Sequence, residues 1–511
     1  MFSLDGLIQV GIHQFYGIEI NDFAVTVAKT ALWIAESQMM QETEEIMDVN
    51  LEFLPLKSYA NIIEGNSLRI DWADVVPKEN LSYIMGNPPF VGYSLQSKEQ
   101  KADILSIYID EKGKPYKTAG KIDYVSGWYF KACQLMQNTA TQTAFVSTNS
   151  ITQGEQVASV WKPLFDRFGI HIDFAYRTFR WDSEASLKAH VHCVIVGFST
   201  AENPQERKLY SSDRFQVVKN ISPYLIDAKT IFIESRTKAL CDVPIMQNGG
   251  KPAEGGFLIL TEEEKNELLK EEPQAEKFIR PFMMGKDFIQ RKPRYCLWLV
   301  GANPTDLKKC RRVLERVEKV RAFRLASKKD ATRKKADTPT LFDEIKESKT
   351  GYVALPKVSS ENRRYIPIDY LSAEVIAGDK LFMVANAELY LFGVLTSNVH
   401  MAWTKTVCGR LKSDYSYSNT IVYNNFPWCK PTDEQKKKIE KTAQAILNAR
   451  ARYPDCSLAD LYDELTMPPE LRKAHQQNDF AVMETYGFDR TITESECVAE
   501  LMKRYQKLTK G

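Results

Sequence analysis

Five residues, Gly86-Asn87-Pro88-Pro89-Phe90, place a side-chain amide, two ring-locked backbone units and a flat aromatic face side by side. Asn87 accepts hydrogen bonds through its amide oxygen, the carbonyl of Pro88 accepts another, and the Phe90 ring offers a face for stacking. That trio suits a planar ligand bearing an exocyclic amine. The plain alternative is a turn, because Asn-Pro commonly starts one and a Phe behind it is often core. Position favours chemistry: the run Leu81-Ser82-Tyr83-Ile84-Met85 reads as a short buried strand that the prolines end. An open α/β sheet binds ligands in the crevice beyond the carboxyl ends of its strands.

Other elements must build that crevice. Around Gln14–Met39 a strand is expected to end at Glu19, with Asn21 or Asp22 capping an apolar-periodic helix. An acid at such a strand end is placed to bond ribose hydroxyls, and its plain alternative is a surface residue. Ile62-Ile-Glu-Gly-Asn66-Ser67 is again a strand running into a polar turn, for which an Asx-type turn is the plain reading. Val91 to Thr118 reads as a flexible polar segment over the site. A helix follows from Asp123, and Thr143–Glu155 repeats the strand-then-polar-turn pattern. Ile170–Tyr176 and Ala189–Phe198 read as terminal antiparallel strands flanking Phe179-Arg-Trp181. His190, His192 and Cys193 lie close together, yet no second ligand pair stands at a useful spacing, so no metal is expected.

At 511 residues and 44% apolar composition the chain has room for two or three cored domains. Lys plus Arg number 68 against 66 Asp plus Glu, so overall charge points to neither nucleic acid nor membrane, and any basic surface must be local. No apolar run nears the roughly 18 residues of a membrane span, and no signal peptide is apparent. A cytoplasmic protein without a membrane partner is expected. Nine scattered cysteines with no Cys-x-x-Cys pair read as reduced thiols.

The pattern changes near Asn203-Pro204 and again beyond Pro431, which suggests parts at 1–205, 206–430 and 431–511. Lys308–Lys335 holds thirteen basic and three acidic residues, with Val313, Leu314, Val317 and Val320 at helical spacing. One face of such a helix packs while the other is cationic and suited to DNA phosphates, although charge runs are usually solvated faces. Arg363, Arg364, Arg410 and Lys412 stand among Ser, Asn and Tyr side chains, which together can bond phosphates or base edges. Tyr423, Phe426 and Trp428 read as packing. The last part reads as a small helical domain, with amphipathic Lys438–Arg450 and a helix starting at Ser457.

With these residues in place, Asn87-Pro-Pro-Phe90 resembles the catalytic motif of amino-group DNA methyltransferases acting on adenine N6. Val358–Ile368 and Thr406–Trp428 resemble the recognition domain of the large type II (IIG/IIL, MmeI-like) restriction-modification methyltransferases. The resemblance implies an α/β, class I (Rossmann-like) methyltransferase sheet, then a target-recognition domain and a helical domain. It implies S-adenosylmethionine as methyl donor, near Glu19, Asn66 and Ser67, and double-stranded DNA as partner. It also implies catalysis by Asn87, Pro88, Pro89 and Phe90, with Asp123 and Trp181 at the target-base pocket. The opening strand and glycine-rich cofactor turn of the class are expected to be missing, as only Met1–Val10 and a few further residues precede Glu19, and no nuclease segment is expected. An upstream polypeptide supplying the cofactor loop is one consequence. A non-catalytic DNA-binding remnant, or an enzyme acting on an RNA or protein amine, are the rival readings.

Overall fold

The structure, a computed structural model, describes residues 9–48, 60–181, 191–202, 205–212 and 214–510. The chain divides into two compact units, Met1–Thr152 with Gln156–Phe232, and Gln153–Glu155 with Ile233–Gly511.

The first unit runs β1 (Tyr16–Glu19), α1 (Asp22–Met47), β2 (Asn61–Glu64), β3 (Tyr83–Gly86), α2 (Lys98–Ile107), α3 (Ser126–Leu135) and β4 (Gln142–Thr148). It continues with α4 (Gly154–Phe168), β5 (His171–Trp181), β6 (Val191–Ser199), β7 (Arg207–Ser211) and β8 (Arg214–Val218). Asn21 caps α1, its side chain accepting from the Ala24 N–H at 3.0 Å, which satisfies a donor the helix leaves orphaned. β1 and β2 pair in parallel as a two-stranded sheet, while six strands form a second sheet in the order β3-β4-β6-β5-β7-β8. β3 and β4 are parallel, and β6 runs antiparallel to both β4 and β5, as the two terminal strands were expected to do.

Alternation of side chains along each strand gives the large sheet two different faces. Phe145, Val194, Val196, Phe198 and Ala175 are buried on one face, where Tyr129 of α3 meets Phe145, Trp161 of α4 and Phe198 with ring centroids 5.2, 5.2 and 5.3 Å apart. The other face carries Tyr83 and Met85, 67% and 77% exposed, together with exposed Phe215 and Val217. The strand before Asn87 is therefore not buried as its apolar letters suggested, Tyr83, Met85 and Gly86 being exposed and Ile84 half-buried. Among the described residues β1 pairs only with β2 and β3 only with β4, so each keeps an open edge. The segment after Phe90 also differs from expectation. It contains α2, closed by a reciprocal Ser97–Gln100 capping box and anchored by buried Ile104 and Ile107, rather than a flexible span throughout.

The second unit holds three small sheets. One orders Ile259–Leu260, Arg294–Leu297, Ile279–Met283 and Ile376–Ala377; another orders Asp369–Leu371, Tyr352–Pro356, Leu381–Ala385 and Met246–Asn248. The third joins Val358–Ser359, Asp414–Ser416 and Gly409–Leu411. The helix Arg311–Leu325 buries Val313, Val317 and Val320 against Leu258, Phe278, Phe282, Trp298 and Phe342, while Leu314 stays at the surface. Arg324 on that helix is fully buried and donates to the carbonyls of Ala253, Lys335, Thr338, Pro252 and Leu341. Five acceptors satisfy a guanidinium's five donors without a carboxylate.

The helices Asp433–Ala451 and Pro469–Thr485 pack into the same unit. Buried Arg450 donates to the Ile368 carbonyl at 2.7 Å, and the Tyr365 hydroxyl donates to Asp479 at 2.6 Å. Burial raises the Asp479 carboxyl to about 6. Tyr423, Phe426 and Trp428 are buried, in line with a packing role. The helix beginning at Ser457 is a single short turn, Leu458–Leu461, and the next helix starts at Pro469. No helix among the described residues is long and apolar enough to cross a membrane.

Candidate active site

β4 and β5 run the same way, since both oppose β6, and β3 is parallel to β4. Their carboxyl ends, and with them Asn87, Asn149 and Trp181, therefore lie at one edge of the sheet. Within the Asn-Pro-Pro-Phe turn, Asn87 is exposed, Pro88 is buried, Pro89 is exposed and Phe90 is half-buried. The buried proline anchors the turn while the amide stays accessible. The chain beyond it is pinned: Tyr124 N–H donates to the Val91 carbonyl at 2.9 Å and the Gln96 amide to the Ile122 carbonyl at 2.9 Å.

Asp123 is only 7% exposed and faces the loops rather than open space. One carboxylate oxygen accepts from the Tyr93 N–H at 2.9 Å and the other from the Ser150 hydroxyl at 2.5 Å. It thereby joins the loop after β3 to the turn after β4. Trp181 is half-exposed at the end of β5, its ring 6.1 Å from that of Phe179. His190 lies outside the described residues, as do Met1 to Ile8 and the Asn203-Pro204 boundary.

Glu19 ends β1 half-buried, and one of its oxygens accepts from the Asn21 N–H at 3.1 Å. Among the described residues its other oxygen has no hydrogen-bond partner, which leaves it able to accept from a diol. Asn66 sits beyond β2. Its oxygen accepts from the Leu68 N–H at 2.9 Å, forming an Asx turn, and its amide donates to Asp103 at 3.2 Å. The Ser67 carbonyl accepts from Trp72 at 2.8 Å. Glu19 therefore keeps an acceptor unused among the described residues, whereas the Asn66 amide is already engaged and shapes the turn.

Asp103 was not picked out from the sequence. This buried carboxylate of α2 accepts from Asn66, from Arg69 at 2.8 Å and from the Tyr124 hydroxyl at 3.0 Å. Burial first, and then Asp103, pushes the Tyr124 phenol up to about 12. The available signal was Ser97-x-x-Gln100 with apolar residues behind it, which marks a helix start and would have put Asp103 on a packed helix.

In the second unit, the Arg363/Arg364 loop and the Arg410/Lys412 hairpin are brought together. Val358 and Ser359 pair with Ser416 and Tyr415, and the Glu361 N–H donates to Asp414 at 3.3 Å. Lys412 is exposed at the hairpin turn with φ +58°, and Arg364 is exposed beside the Tyr365 ring. Arg363 is half-buried. Arg410 lies 4.0 Å from the Tyr415 ring centroid and donates to the Ser413 carbonyl at 2.9 Å, which braces the hairpin.

The expected cationic helix face is partly neutralised, with exposed Lys319 and Arg321 in no ion pair among the described residues. Arg311 pairs with Glu315, Arg312 with Glu271 and Arg316 with Glu264, at 3.1, 2.6 and 2.8 Å, and exposed Glu318 shares the outer surface. Exposed Lys328, Lys329 and Lys334 lie beyond it.

Family models match along the chain: the MmeI DNA-methyltransferase domain at residues 3–211, the MmeI target recognition domain at 227–430 and the MmeI C-terminal domain at 431–511. DNA methyltransferase A of Bacillus subtilis (strain 168) is 39% identical over 503 residues, covering 98% of this chain and 56% of that protein. The chain thus spans little more than half the length of that curated relative. The solved structure of the type IIL restriction-modification enzyme MmeI in complex with DNA is 43% identical, with a TM-score of 0.90 over 99% of this chain and 68% of that one. The α/β architecture and the order of parts agree with these matches, and the chain belongs to the MmeI-like family of type IIL restriction-modification methyltransferases.

Proposed function

We propose that this chain methylates adenine N6 at a specific site in duplex DNA, within a restriction-modification system. The observation that carries the reading is the Asn87-Pro-Pro-Phe90 turn at the carboxyl end of β3, with its amide accessible, its first proline buried and its ring half-covered. Residues 1–205 would carry the chemistry, 206–430 recognition and 431–511 the helical support.

A base inside a duplex is out of reach, so the target adenine is flipped out and stacks on Phe90, with Trp181 at the pocket's other side. Asn87 Oδ1 and the Pro88 carbonyl accept the two amine hydrogens and concentrate electron density on the nitrogen. Glu19 holds the ribose of S-adenosylmethionine, with Asn66 and Ser67 shaping the adjoining turn. S-adenosylmethionine held there would supply the methyl group from its sulfonium, whose carbon–sulfur bond breaks as the bond to the amine nitrogen forms, the sulfur leaving as a neutral thioether. The Asn87 Oδ1 and Pro88 carbonyl acceptors would stabilise the positive charge that develops on the nitrogen until one amine proton is lost to solvent. Arg363, Arg364, Lys412 and the braced Arg410 bind the duplex through phosphates and base edges.

The open edges of β1 and β3 favour one addition: an upstream polypeptide supplies a further parallel strand and the cofactor loop. Methylation of cognate duplex by wild type and by Asn87→Ala tests the chemistry, with loss of turnover and retained DNA affinity expected. Parallel loss of both would sink the assignment. Calorimetry with S-adenosylmethionine, with and without the polypeptide encoded directly upstream, tests the addition; equal binding in the two cases would remove it.

A further inference from the structure

Two buried carboxylates divide the site between them. Asp103 holds the loop after β2 through the Asn66 amide at 3.2 Å and Arg69 at 2.8 Å. Asp123 holds the loop after the Asn-Pro-Pro-Phe turn through the Tyr93 N–H at 2.9 Å, and the turn after β4 through Ser150. Among the described residues, Tyr124 joins both systems. Its hydroxyl donates to Asp103 at 3.0 Å, its N–H donates to Val91 at 2.9 Å, and Asp123 is its chain neighbour. The ring is fixed by an edge contact with Trp128 at 5.3 Å, so the hydroxyl cannot swing away without disturbing α3.

We propose that Tyr124 and Asp103 are positioning residues that couple the methyl-donor side of the site to the target-base side. A bound nucleoside that orders the Asn66 turn fixes Asp103, which fixes Tyr124 and hence the position of Val91, Tyr93 and the adjoining Asn-Pro-Pro-Phe turn. Coupling of this kind is reciprocal, so ordering of the target loop by a flipped base strengthens cofactor binding by the same factor. Both carboxylates keep other partners when one bond is cut. Asp103 retains Arg69 and Asn66, so removing the Tyr124 hydroxyl severs the link without stranding a buried charge.

The inference rests on the methyltransferase reading for its ligands, but its structural core does not, and the test separates the two. In the full chain, hydrogen exchange is followed at residues 66–70, where Arg69 and Ile70 N–H donate to the Asn66 carbonyl, and at residues 91–96, where Tyr93 and Leu95 N–H are bonded. Tyr124→Phe should accelerate exchange about fivefold or more in both segments while leaving β4 protected. Acceleration in one segment alone, or in neither, overturns the relay. The second arm measures S-adenosylmethionine affinity with and without cognate duplex. Wild type should bind more tightly with DNA, by about fivefold or more, and Tyr124→Phe should lose most of that gain. An unchanged gain in the variant overturns the coupling. Failure of wild type to bind the cofactor both with and without the added cofactor-loop polypeptide would instead count against the methyltransferase reading, with the exchange result still deciding the relay.

Discussion

The two sheets of the first unit differ in how completely they are built. The six-stranded sheet that ends in Asn87 buries Tyr129, Trp161 and Phe198 as a continuous aromatic core on one face. The two-stranded sheet that ends in Glu19 is followed by a helix of 26 residues with one buried side chain, Val25, and with Phe23, Val27, Ile34 and Ile46 exposed. The sequence of α1 has helix periodicity and a proper cap, so its apolar residues are meant for contact. The comparison teaches that the sheet carrying Asn87 has its own packed support, whereas among the described residues the sheet carrying Glu19 and its helix present open edges and exposed apolar faces.

The largest effect that would break this contrast concerns Asn87. Asn87→Ala should lower the turnover of methylation by about a thousandfold, because one of two acceptors aimed at developing charge is lost, with duplex affinity within about twofold. Next comes support: Trp161→Ala removes a fully buried ring whose Nε1 donates to Ile151 at 2.8 Å. Chemical denaturation should show a loss of about 3–5 kcal/mol. Glu19→Ala should weaken S-adenosylmethionine binding by about tenfold or more in a calorimetric titration and leave the melting curve nearly unchanged. The smallest effect sharpens the contrast most. Phe23→Ser should change stability by about 0.5 kcal/mol or less in this chain, since the ring is 74% exposed, and should become costly only when an upstream polypeptide covers it.

Much of this was readable in the residues themselves. The strand before Asn87, a helix cap at Asn21 or Asp22, the antiparallel pair β5 and β6 and the packing of Tyr423, Phe426 and Trp428 follow from local rules that need no tertiary knowledge. What could not be read was where charged and polar groups spend their hydrogen bonds. Arg324 and Arg450 look, in sequence, like any other cations of a DNA-binding chain, yet both are buried donors to backbone carbonyls. The carboxylates that neutralise Arg312 and Arg316 lie 41 and 52 positions away, beyond the reach of any helical period. The Asn66 amide turns toward Asp103, 37 positions on, for the same reason. Exposure on one side of β3 was hidden because an apolar letter records only what a side chain prefers, not whether a layer exists to meet it.

The Arg450 bond to Ile368 and the Tyr365 bond to Asp479 have a practical consequence for anyone wishing to exchange sequence specificity between relatives. A transplant cut at Lys430 would carry the recognition sheets but leave partners behind in the helices, removing the Ile368 acceptor from Arg450 Nη1, which keeps Tyr462, and the Asp479 acceptor from the Tyr365 phenol. The 360–364 loop and the 409–416 hairpin are tied to each other through Glu361 and Asp414, so exchanging them as a pair leaves both of those bonds to the helices intact.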